Sequence, residues 1–373
     1  MGFDDRIDAN SEQNYDFFGI RTNSLLVAYR LPRATIMIGP FLKTLSLWPV
    51  ALGCRKPMTA GVALLAAFTL SIQTSVRADT FGSGTDTFTI DFVRVGSAGN
   101  AADTTGYGAV PYEYRVGTYE VTQDAVTKAM ASGLADVTAG EWTGNQPVAP
   151  FSWYEAAAFV NWLNTSSGKT AAYDLTFSSS SWSMALWSSE QAWTAGGTNL
   201  YRNKNAFYFL PSENEWYKAA YYNAAGANYF LFPTASNIDP IAVASGTNAN
   251  TANYNFAGLQ PAAVTDAGGL SPVLTMGQGG NVSEWMESAF DGTNSSASQD
   301  RAVRGGSYQS VYYPGIITNP LISSARGIGV PSNEIRNLGF RVASVPEPST
   351  YALMALAGLT CSGWQMFRRR ERP

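Results

Sequence analysis

Serine and carboxylate side chains are the groups in this chain whose types and positions could support chemistry. Ser307 and Ser310 lie close together in the segment RAVRGGSYQS. Neither can be the nucleophile of a conventional catalytic triad, because the chain contains no histidine to act as the base. Asp266, Glu284 and Glu287 could instead act as a general acid and a general base.

The absence of histidine and the placement of cysteine exclude several classes of site. Cys–His catalysis, facial-triad iron and most zinc sites all need histidine. The two cysteines, Cys54 and Cys361, lie in hydrophobic segments near the two ends of the chain. A disulfide framework therefore cannot hold the intervening region together.

The composition between the two ends is that of an acidic globular domain. Residues 79–345 contain 12 Lys and Arg against 21 Asp and Glu, so their net charge is 12 − 21 = −9. Such a charge disfavours binding to the phosphate backbone of nucleic acid. Hydrophobic residues make up 45% of the chain, which is enough for a packed core.

The elements that must position the reactive side chains are few helices and many short strands. Helical periodicity predicts helices at 121–132, 152–164 and 211–223. The last two begin with a serine followed three residues later by a glutamate, which is the capping-box pattern. The rest consists of short β-like segments between Gly, Asn, Ser and Thr clusters. These patterns predict one α+β domain over 79–344, dominated by loops.

The N-terminal 78 residues have the features of a targeting sequence rather than of a folded domain. Residues 58–78 follow the positive flank Arg55-Lys56 and contain an apolar stretch and the small-residue cleavage site Val76-Arg77-Ala78, which together predict a signal peptide. The alternative is a short buried helix. Residues 1–57 resemble no domain, and Met37 or Met58 could be the true translation start.

The C-terminal segment 345–373 also has the features of a targeting signal. A Val-Pro-Glu-Pro motif precedes an apolar run at 351–367 and a cluster of arginines that should stay cytoplasmic. This arrangement resembles the PEP-CTERM sorting signal of Gram-negative bacteria. The resemblance implies transient anchoring in the inner membrane, cleavage near Pro346 by an exosortase-type enzyme, and release to the cell surface or extracellular matrix. The alternative is a plain membrane anchor.

Six sequence blocks within the domain carry a further resemblance. In chain order they are YEVTQDAV (119–126), PVAPFSWYEAAAFVNWL (147–163), FYFLPSENEWYKAA (207–220), GGNVSEW (279–285), VRGGSYQS (303–310) and NLGFRVA (337–343). Together they resemble the formylglycine-generating enzyme family, also called the sulfatase-modifying factor family, over nearly all of 90–344. The resemblance implies a loop-rich variant of the C-type lectin fold.

The same resemblance implies that the family's oxidative chemistry is absent. The enzymes of the family bind copper through two thiolates, which suit soft Cu(I). The positions of those thiols correspond here to Ser310 and Gly315, and neither a hydroxyl nor a hydrogen replaces a thiolate. Ser307, which in the family lies beside the oxygen-binding cavity, is retained. We therefore expect no copper, and the ergothioneine-forming branch of the family is excluded because its iron site needs histidines.

Structural calcium is a further implication of the resemblance, because two loops match the calcium loops of the family in part. Calcium takes about six to eight oxygen ligands from carboxylates, carbonyls and water. The candidate ligands are Asn253, the Tyr254 carbonyl and Asp266 in the first loop, and the Gly280 and Val282 carbonyls with the Glu284 carboxylate in the second. Gly268 and Gly277 depart from the family pattern. The alternative is that Asp266 and Glu284 cap turns or pair with arginines.

Several residues of the six blocks also have plain structural interpretations. Trp216 and Trp285 are expected as core aromatics, and Gly305 and Gly306 permit a backbone bend that other residues resist. Three arginines are expected to pair with buried carboxylates, namely Arg304, Arg326 and Arg341.

Three functions remain open from the sequence. The first is a binding module for a peptide, a glycan or a matrix component outside the cell. The second is an enzyme of different chemistry on the same fold, and the third is a structural component of the extracellular matrix. Aromatic residues lining a groove would favour the first, and a close carboxylate pair in a deep pocket would favour the second.

Overall fold

The three helices predicted from periodicity are all present in the computed structural model, which describes residues 76–316 and 318–346. They are α1 (Gln123–Ala131), α2 (Trp153–Ser166) and α3 (Glu213–Tyr221). The Thr122 side chain accepts a hydrogen bond from the Ala125 N–H at the start of α1. Both predicted capping boxes are confirmed, because α2 and α3 each begin with a serine and a glutamate that bond each other's backbone N–H groups.

Two sheets hold most of the strands. The first, fully antiparallel, has the order β1 (Arg77–Phe81), β2 (Phe88–Val95), β3 (Tyr114–Gly117), β17 (Ala343–Ser344) and β8 (Tyr208–Phe209). The second has the order β15 (Gly327–Gly329), β14 (Arg301–Arg304), β13 (Ser283–Ala289) and β16 (Leu338–Gly339). Only the β13–β16 pair of the second sheet is parallel.

The remaining strands form four separate two-stranded sheets. They are β4 (Asp174–Ser178) with β5 (Ser181–Ala185), β6 (Ala192–Trp193) with β7 (Asn199–Asn203), β9 (Tyr222–Asn223) with β10 (Asn228–Tyr229), and β11 (Ile241–Ala242) with β12 (Thr251–Ala252). Two 3-10 turns lie at Gly84–Asp86 and Val264–Asp266. Three helices and many short, mostly antiparallel strands confirm the predicted loop-rich α+β class.

The main core lies between α2 and the first sheet. The predicted apolar face of α2 is fully buried at Phe159, Val160 and Leu163. The Phe159 ring packs edge-on against Phe340 at 5.6 Å, and Phe340 stacks on Phe151 at 5.5 Å. Burying side chains of this size contributes about 1.5–3 kcal/mol each. This core fixes the segment 337–343, which belongs to the last of the six sequence blocks.

The predicted targeting segments at the two ends, 1–78 and 345–373, fall mostly outside the described residues. The predicted extension 1–57, all but the last three residues of the predicted signal peptide and residues 347–373 of the sorting signal are among them. The predicted cleavage point after Ala78 lies inside β1. In the part of the chain that is described, no helix has the length and apolar character needed to span a membrane. The predicted tail helix lies outside that part.

Candidate functional site

The carboxylate of Glu284, on β13, is held by an arginine from the C-terminal block. Arg341 donates from Nε to Glu284 Oε2 at 2.7 Å and from its terminal nitrogen to Oε1, and both side chains are fully buried. Trp216 Nε1 donates to the same Oε2 at 2.7 Å. The remaining Arg341 donors reach carbonyl oxygens, including those of Gly117 and Met276. The structural interpretation of Arg341 is therefore confirmed.

A second buried carboxylate, that of Glu120, lies beside this pair and was missed by the sequence reasoning. Asn281 Nδ2 and the Val282 N–H donate to its two oxygens. Burial, together with the charge of nearby Glu284, raises the pKa of Glu120 to about 8. Gly277 makes room for it, because a Cβ there would lie 2.7 Å from Glu120 Oε2. The only sequence signal was the position of Glu120 within the block YEVTQDAV.

Glu287 belongs to a close carboxylate pair that shares one arginine. Arg202 donates from Nε and a terminal nitrogen to Glu287 and from both terminal nitrogens to Glu215, at 2.6–3.0 Å. Tyr173 donates to Glu287 as well, at 2.9 Å. Burial would raise the pKa of Glu215, but Arg202 lowers it, whereas burial raises the pKa of Glu287. Neither carboxylate is free to exchange a proton with a substrate without giving up Arg202.

The third buried acid, Glu213 at the start of α3, holds two arginines. Arg304 Nε lies 2.7 Å from Glu213 Oε1, and Arg326 donates to both oxygens at 2.6 and 2.8 Å. Arg304 also donates to the Ser323 and Ala325 carbonyls. All three arginines named from the sequence thus pair with buried carboxylates. Trp216 and Trp285 are fully buried, as expected of core aromatics.

The two serines form a tight turn, which we call the serine turn (Ser307–Ser310). Asn337 Nδ2 donates to Ser307 Oγ at 2.8 Å, and the Ser307 N–H donates to Ser310 Oγ at 2.9 Å. The two hydroxyl oxygens lie 3.3 Å apart. Gly305 and Gly306, with φ of +97° and +65°, provide the bend that leads into the turn. The hydroxyls are therefore occupied by an amide and by backbone groups, and among the described residues no base forms a hydrogen bond with them.

Gly315, the other position at which the resemblance implies a missing thiol, lies on an exposed loop. Its φ is +78°, and a Cβ at this position would meet no atom within 4 Å. Across residues 76–316 and 318–346, no three His, Cys, Asp or Glu side chains are grouped so that they could hold a metal ion. The structure places Ser307 in the interior, Ser310 at the surface boundary and Gly315 in solvent.

An aromatic surface surrounds the serine turn. Trp142 packs edge-on against Tyr308 at 6.0 Å, and the Arg336 guanidinium lies 5.0 Å from the centre of the Trp142 ring. The backbone N–H of Phe256 donates to the Tyr308 carbonyl, which brings the half-exposed Phe256 ring next to the turn. We call this surface the serine face and define it as Trp142, Phe256, Ser310, Val311 and Arg336. The buried Tyr308 hydroxyl beneath it has no hydrogen-bond partner among the described residues.

The first predicted calcium loop brings together the two backbone segments that carry its candidate ligands. The Asn253 N–H faces the Ala267 carbonyl at 3.4 Å, so Asn253 and Tyr254 lie next to the segment that carries Asp266. Asn253 Oδ1 is buried without a hydrogen-bond partner in the described part of the chain. An orphaned buried oxygen fits a cation that binds oxygen. Gly268 is required here, because a Cβ would lie 2.4 Å from the Thr251 carbonyl oxygen.

The second predicted calcium loop is differently occupied. Gly280 packs against Asn253, where a Cβ would lie 2.2 Å from the Asn253 carbonyl oxygen, and the Val282 N–H donates to Glu120. The Glu284 carboxylate is already bound by Arg341 and Trp216. An ion that used Glu284 would have to share its carboxylate with these donors, so the described contacts give this site less support than the first loop.

Comparison with known proteins identifies one matching family and several similar solved structures. The model of the sulfatase-modifying factor enzyme 1-like domain matches residues 84–345. Similar solved structures include Treponema denticola variable protein 1, with 22% identity, 73% of this chain and 100% of that chain covered, and a TM-score of 0.49. CarF has 18% identity, coverages of 69% and 99%, and a TM-score of 0.49. PvdO from Pseudomonas aeruginosa has 16% identity, coverages of 73% and 100%, and a TM-score of 0.42. No curated protein matches the chain.

Proposed function

Because the chain belongs to the sulfatase-modifying factor enzyme 1-like domain family, we propose that it is an exported binding module that uses the family fold without the family's oxidative chemistry. Its ligand is a peptide, a glycan or a matrix component at the cell surface. Export rests on the signal-peptide and sorting-signal patterns, with an exosortase-type enzyme as the processing partner. Membrane contact is then limited to the tail before processing.

The observation that carries the proposal is the environment of the serine turn. Ser310 and Ser307 bond to backbone and to Asn337, and Gly315 has no side chain to offer. A hydroxyl without a neighbouring base is a poor nucleophile, and it is a poor ligand for Cu(I) compared with a thiolate. Oxidation of a substrate cysteine at this position is therefore not expected.

The buried carboxylates argue against acid–base chemistry as the alternative. Glu284 and Glu287 are both bound by arginines in the interior, where a general acid or base could not reach a substrate proton. Glu215 and Glu287 form a close pair, but Arg202 is shared by the two carboxylates and pairs with both. Asp266 alone does not supply both an acid and a base.

Binding is favoured by the serine face. Trp142, Phe256 and Arg336 lie beside the serine turn and remain partly or fully exposed. Aromatic and arginine side chains with exposed surface are the groups that contribute most to binding interfaces.

We further propose a structural calcium ion at the first loop, held by Asn253, the Tyr254 carbonyl and Asp266. The orphaned Asn253 Oδ1 supports this assignment. An ion at this position would tie the 253–255 segment to the 264–268 segment, and the Asn255 N–H donates to the Ser310 carbonyl at 3.0 Å. Calcium would thus support the serine face without taking part in chemistry.

The proposal is tested with protein recovered from the surface of cells that produce it. Mass spectrometry should find an N-terminus at or near Asp79, and calorimetric screens against peptides and bacterial polysaccharides should identify a ligand. Trp142→Ala should weaken that binding about tenfold, in line with the loss of one aromatic contact. Trp182→Ala is the matched control, because both indole N–H groups donate to a backbone carbonyl at the surface.

A separate incubation tests the absence of oxidative chemistry. A sulfatase-type cysteine peptide, kept with the protein, copper and oxygen, should remain unmodified. Conversion of the peptide to formylglycine, or recovery of the protein with its original N-terminus only, would contradict the proposed function.

A further inference from the structure

A second cleft, remote in sequence from the serine face, lies between the loop before β3, the β6–β7 hairpin and the start of α3. It has a volume of about 190 Å³, and its walls include Tyr107, Tyr112, Trp193, Asn214 and Asn294. None of the residues of the serine face contributes to it. Pockets that enclose a whole small molecule measure roughly 300–1,000 Å³. This cleft therefore has room for one ring-sized group, and the rest of a ligand would extend over its open side.

The aromatic walls of the cleft are held in place by the buried charges behind them. Tyr112 donates its hydroxyl to Glu215 at 2.7 Å, and its ring meets the Trp193 ring edge-on at 5.3 Å. The Arg202 guanidinium lies 5.3 Å from the Trp193 ring centre. Tyr107 lies under Arg304 in the same way, at 4.6 Å. Fixed aromatic rings of this kind present flat apolar surface without losing conformational entropy on binding.

The charged residues in the cleft walls are already neutralised. Arg202 is shared by Glu215 and Glu287, and Glu213 is shared by two arginines. Together these groups carry three positive and three negative charges, which cancel. A charged ligand would find no unpaired partner among them, and it would lose its hydration on entering. The cleft therefore suits a neutral ligand.

The polar residues of the cleft offer donors rather than acceptors. Asn214 Oδ1 accepts the Gly108 N–H at 3.0 Å, and Asn294 Oδ1 accepts the Ala289 N–H at 2.7 Å. Each amide is thereby oriented, and each Nδ2 has no partner within the described residues. Ser212 and Ser288 repeat the pattern, because each hydroxyl oxygen accepts a backbone N–H of α3 and leaves its own O–H to donate. The ligand must supply several oxygen acceptors.

From these features we infer that the cleft is a second binding site, for one ring of a neutral oligosaccharide. A sugar ring combines an apolar C–H face, which packs on Trp193 and Tyr112, with hydroxyl and ring oxygens that accept from Asn214, Asn294 and the two serines. A peptide fits less well, because the aliphatic residues in the walls are Ala109, Val110, Pro111 and Ala195, which form no pocket for a large apolar side chain. The site does not depend on the function proposed for the serine face.

The test uses the purified protein with three probes: chitotetraose, mannotetraose and cellotetraose. At least one should bind in calorimetry or ligand-observed NMR. Its affinity should change less than about twofold between about 0.05 and 0.5 M salt, because a neutral ligand releases no counterions. Asn214→Asp and Asn294→Asp should each weaken binding about tenfold. Both changes keep the oxygen that accepts the backbone N–H, and both replace the free donor with a charged oxygen that can only accept.

Asn237→Asp is the matched control. Asn237 Oδ1 accepts the Leu231 N–H at 2.9 Å on an exposed loop outside the cleft, so this variant should bind within about twofold of the unaltered protein. Thermal melts confirm folding, and an aspartate at Asn214 is favourable near the start of α3.

Several results would overturn the inference. One is that none of the three tetrasaccharides binds. Another is that the Asn214 and Asn294 variants bind the saccharide as tightly as the unaltered protein does. A third is that tetragalacturonate, which is anionic, binds more tightly than the neutral saccharides and in a salt-dependent way. Loss of saccharide binding in Trp142→Ala alone would assign the sugar to the serine face instead. Failure of the function proposed for that face, with Asn214-dependent saccharide binding intact, leaves the cleft assignment standing.

Discussion

The buried ion pairs and the serine turn are neighbours in the sequence but are held in opposite ways. Arg304 bonds Glu213 and two backbone carbonyls in the interior. Ser310, six residues later, lies at the surface boundary, and Gly315 after it has no neighbour that a side chain would touch. An interior charge requires each partner in place, whereas the loop tolerates replacement. Under the proposed function, this difference lets the packed interior of the family fold persist while the loop positions Ser310 and Gly315 change.

The largest effect should come from breaking the Glu284–Arg341 pair. Arg341→Met is expected to lower the free energy of unfolding by about 3–5 kcal/mol, because it leaves the Glu284 carboxylate buried and uncompensated. Arg336→Met is the matched control, since Arg336 pairs with Glu141 while 59% of its side chain is exposed. That variant should lose less than about 1 kcal/mol. Urea unfolding measures both, and similar losses in the two variants would refute the contrast.

The helices were predictable from the sequence because their signals are local. The capping boxes at Ser152 and Ser212 each cover four residues, and periodicity identified the buried face of α2. The pairing of Arg341 was expected in kind, but its partner Glu284 lies 57 positions away and belongs to another block. Spacing in the chain contains no information on such contacts.

The second cleft and Glu120 were missed for the same reason. The cleft is assembled from separate segments, near residues 107–112, 193–202, 212–214 and 288–294, and no single segment has a binding pattern. Glu120 is buried beside Glu284 only because β13 and the segment after β3 meet in the fold, where Asn281 and Val282 donate to it. Neither feature has a sequence period or motif that could have revealed it.

Calcium should have an intermediate effect on the thermal stability of the protein, through the loops that carry Asn253 and Asp266. If an ion binds Asn253, Tyr254 and Asp266, millimolar calcium should raise the melting temperature relative to EGTA, since a ligand at 100 times its Kd stabilises by about 2.7 kcal/mol. Asp266→Asn should remove most of that shift, because it removes the charged ligand. Asp124→Asn is the control, because Asp124 is exposed and pairs with Lys128 on the same helix. Identical melts in calcium and EGTA would exclude a structural ion.

The smallest effect is expected at Gly315, where the comparison can be made with a single type of substitution. Gly315→Ala should cost about 1 kcal/mol, because φ is +78° but a Cβ meets nothing within 4 Å. Gly268→Ala makes the same chemical change at φ +126°, where the Cβ would lie 2.4 Å from the Thr251 carbonyl oxygen. That clash involves backbone and cannot be relieved by a side-chain rotation, so the loss should reach about 3 kcal/mol or more. Urea unfolding of the two variants compares the cost of an added Cβ in an exposed loop with its cost in a packed segment. Equal losses would show that the loop around Gly315 is as constrained as the interior, and the persistence of the packed interior would then need another explanation.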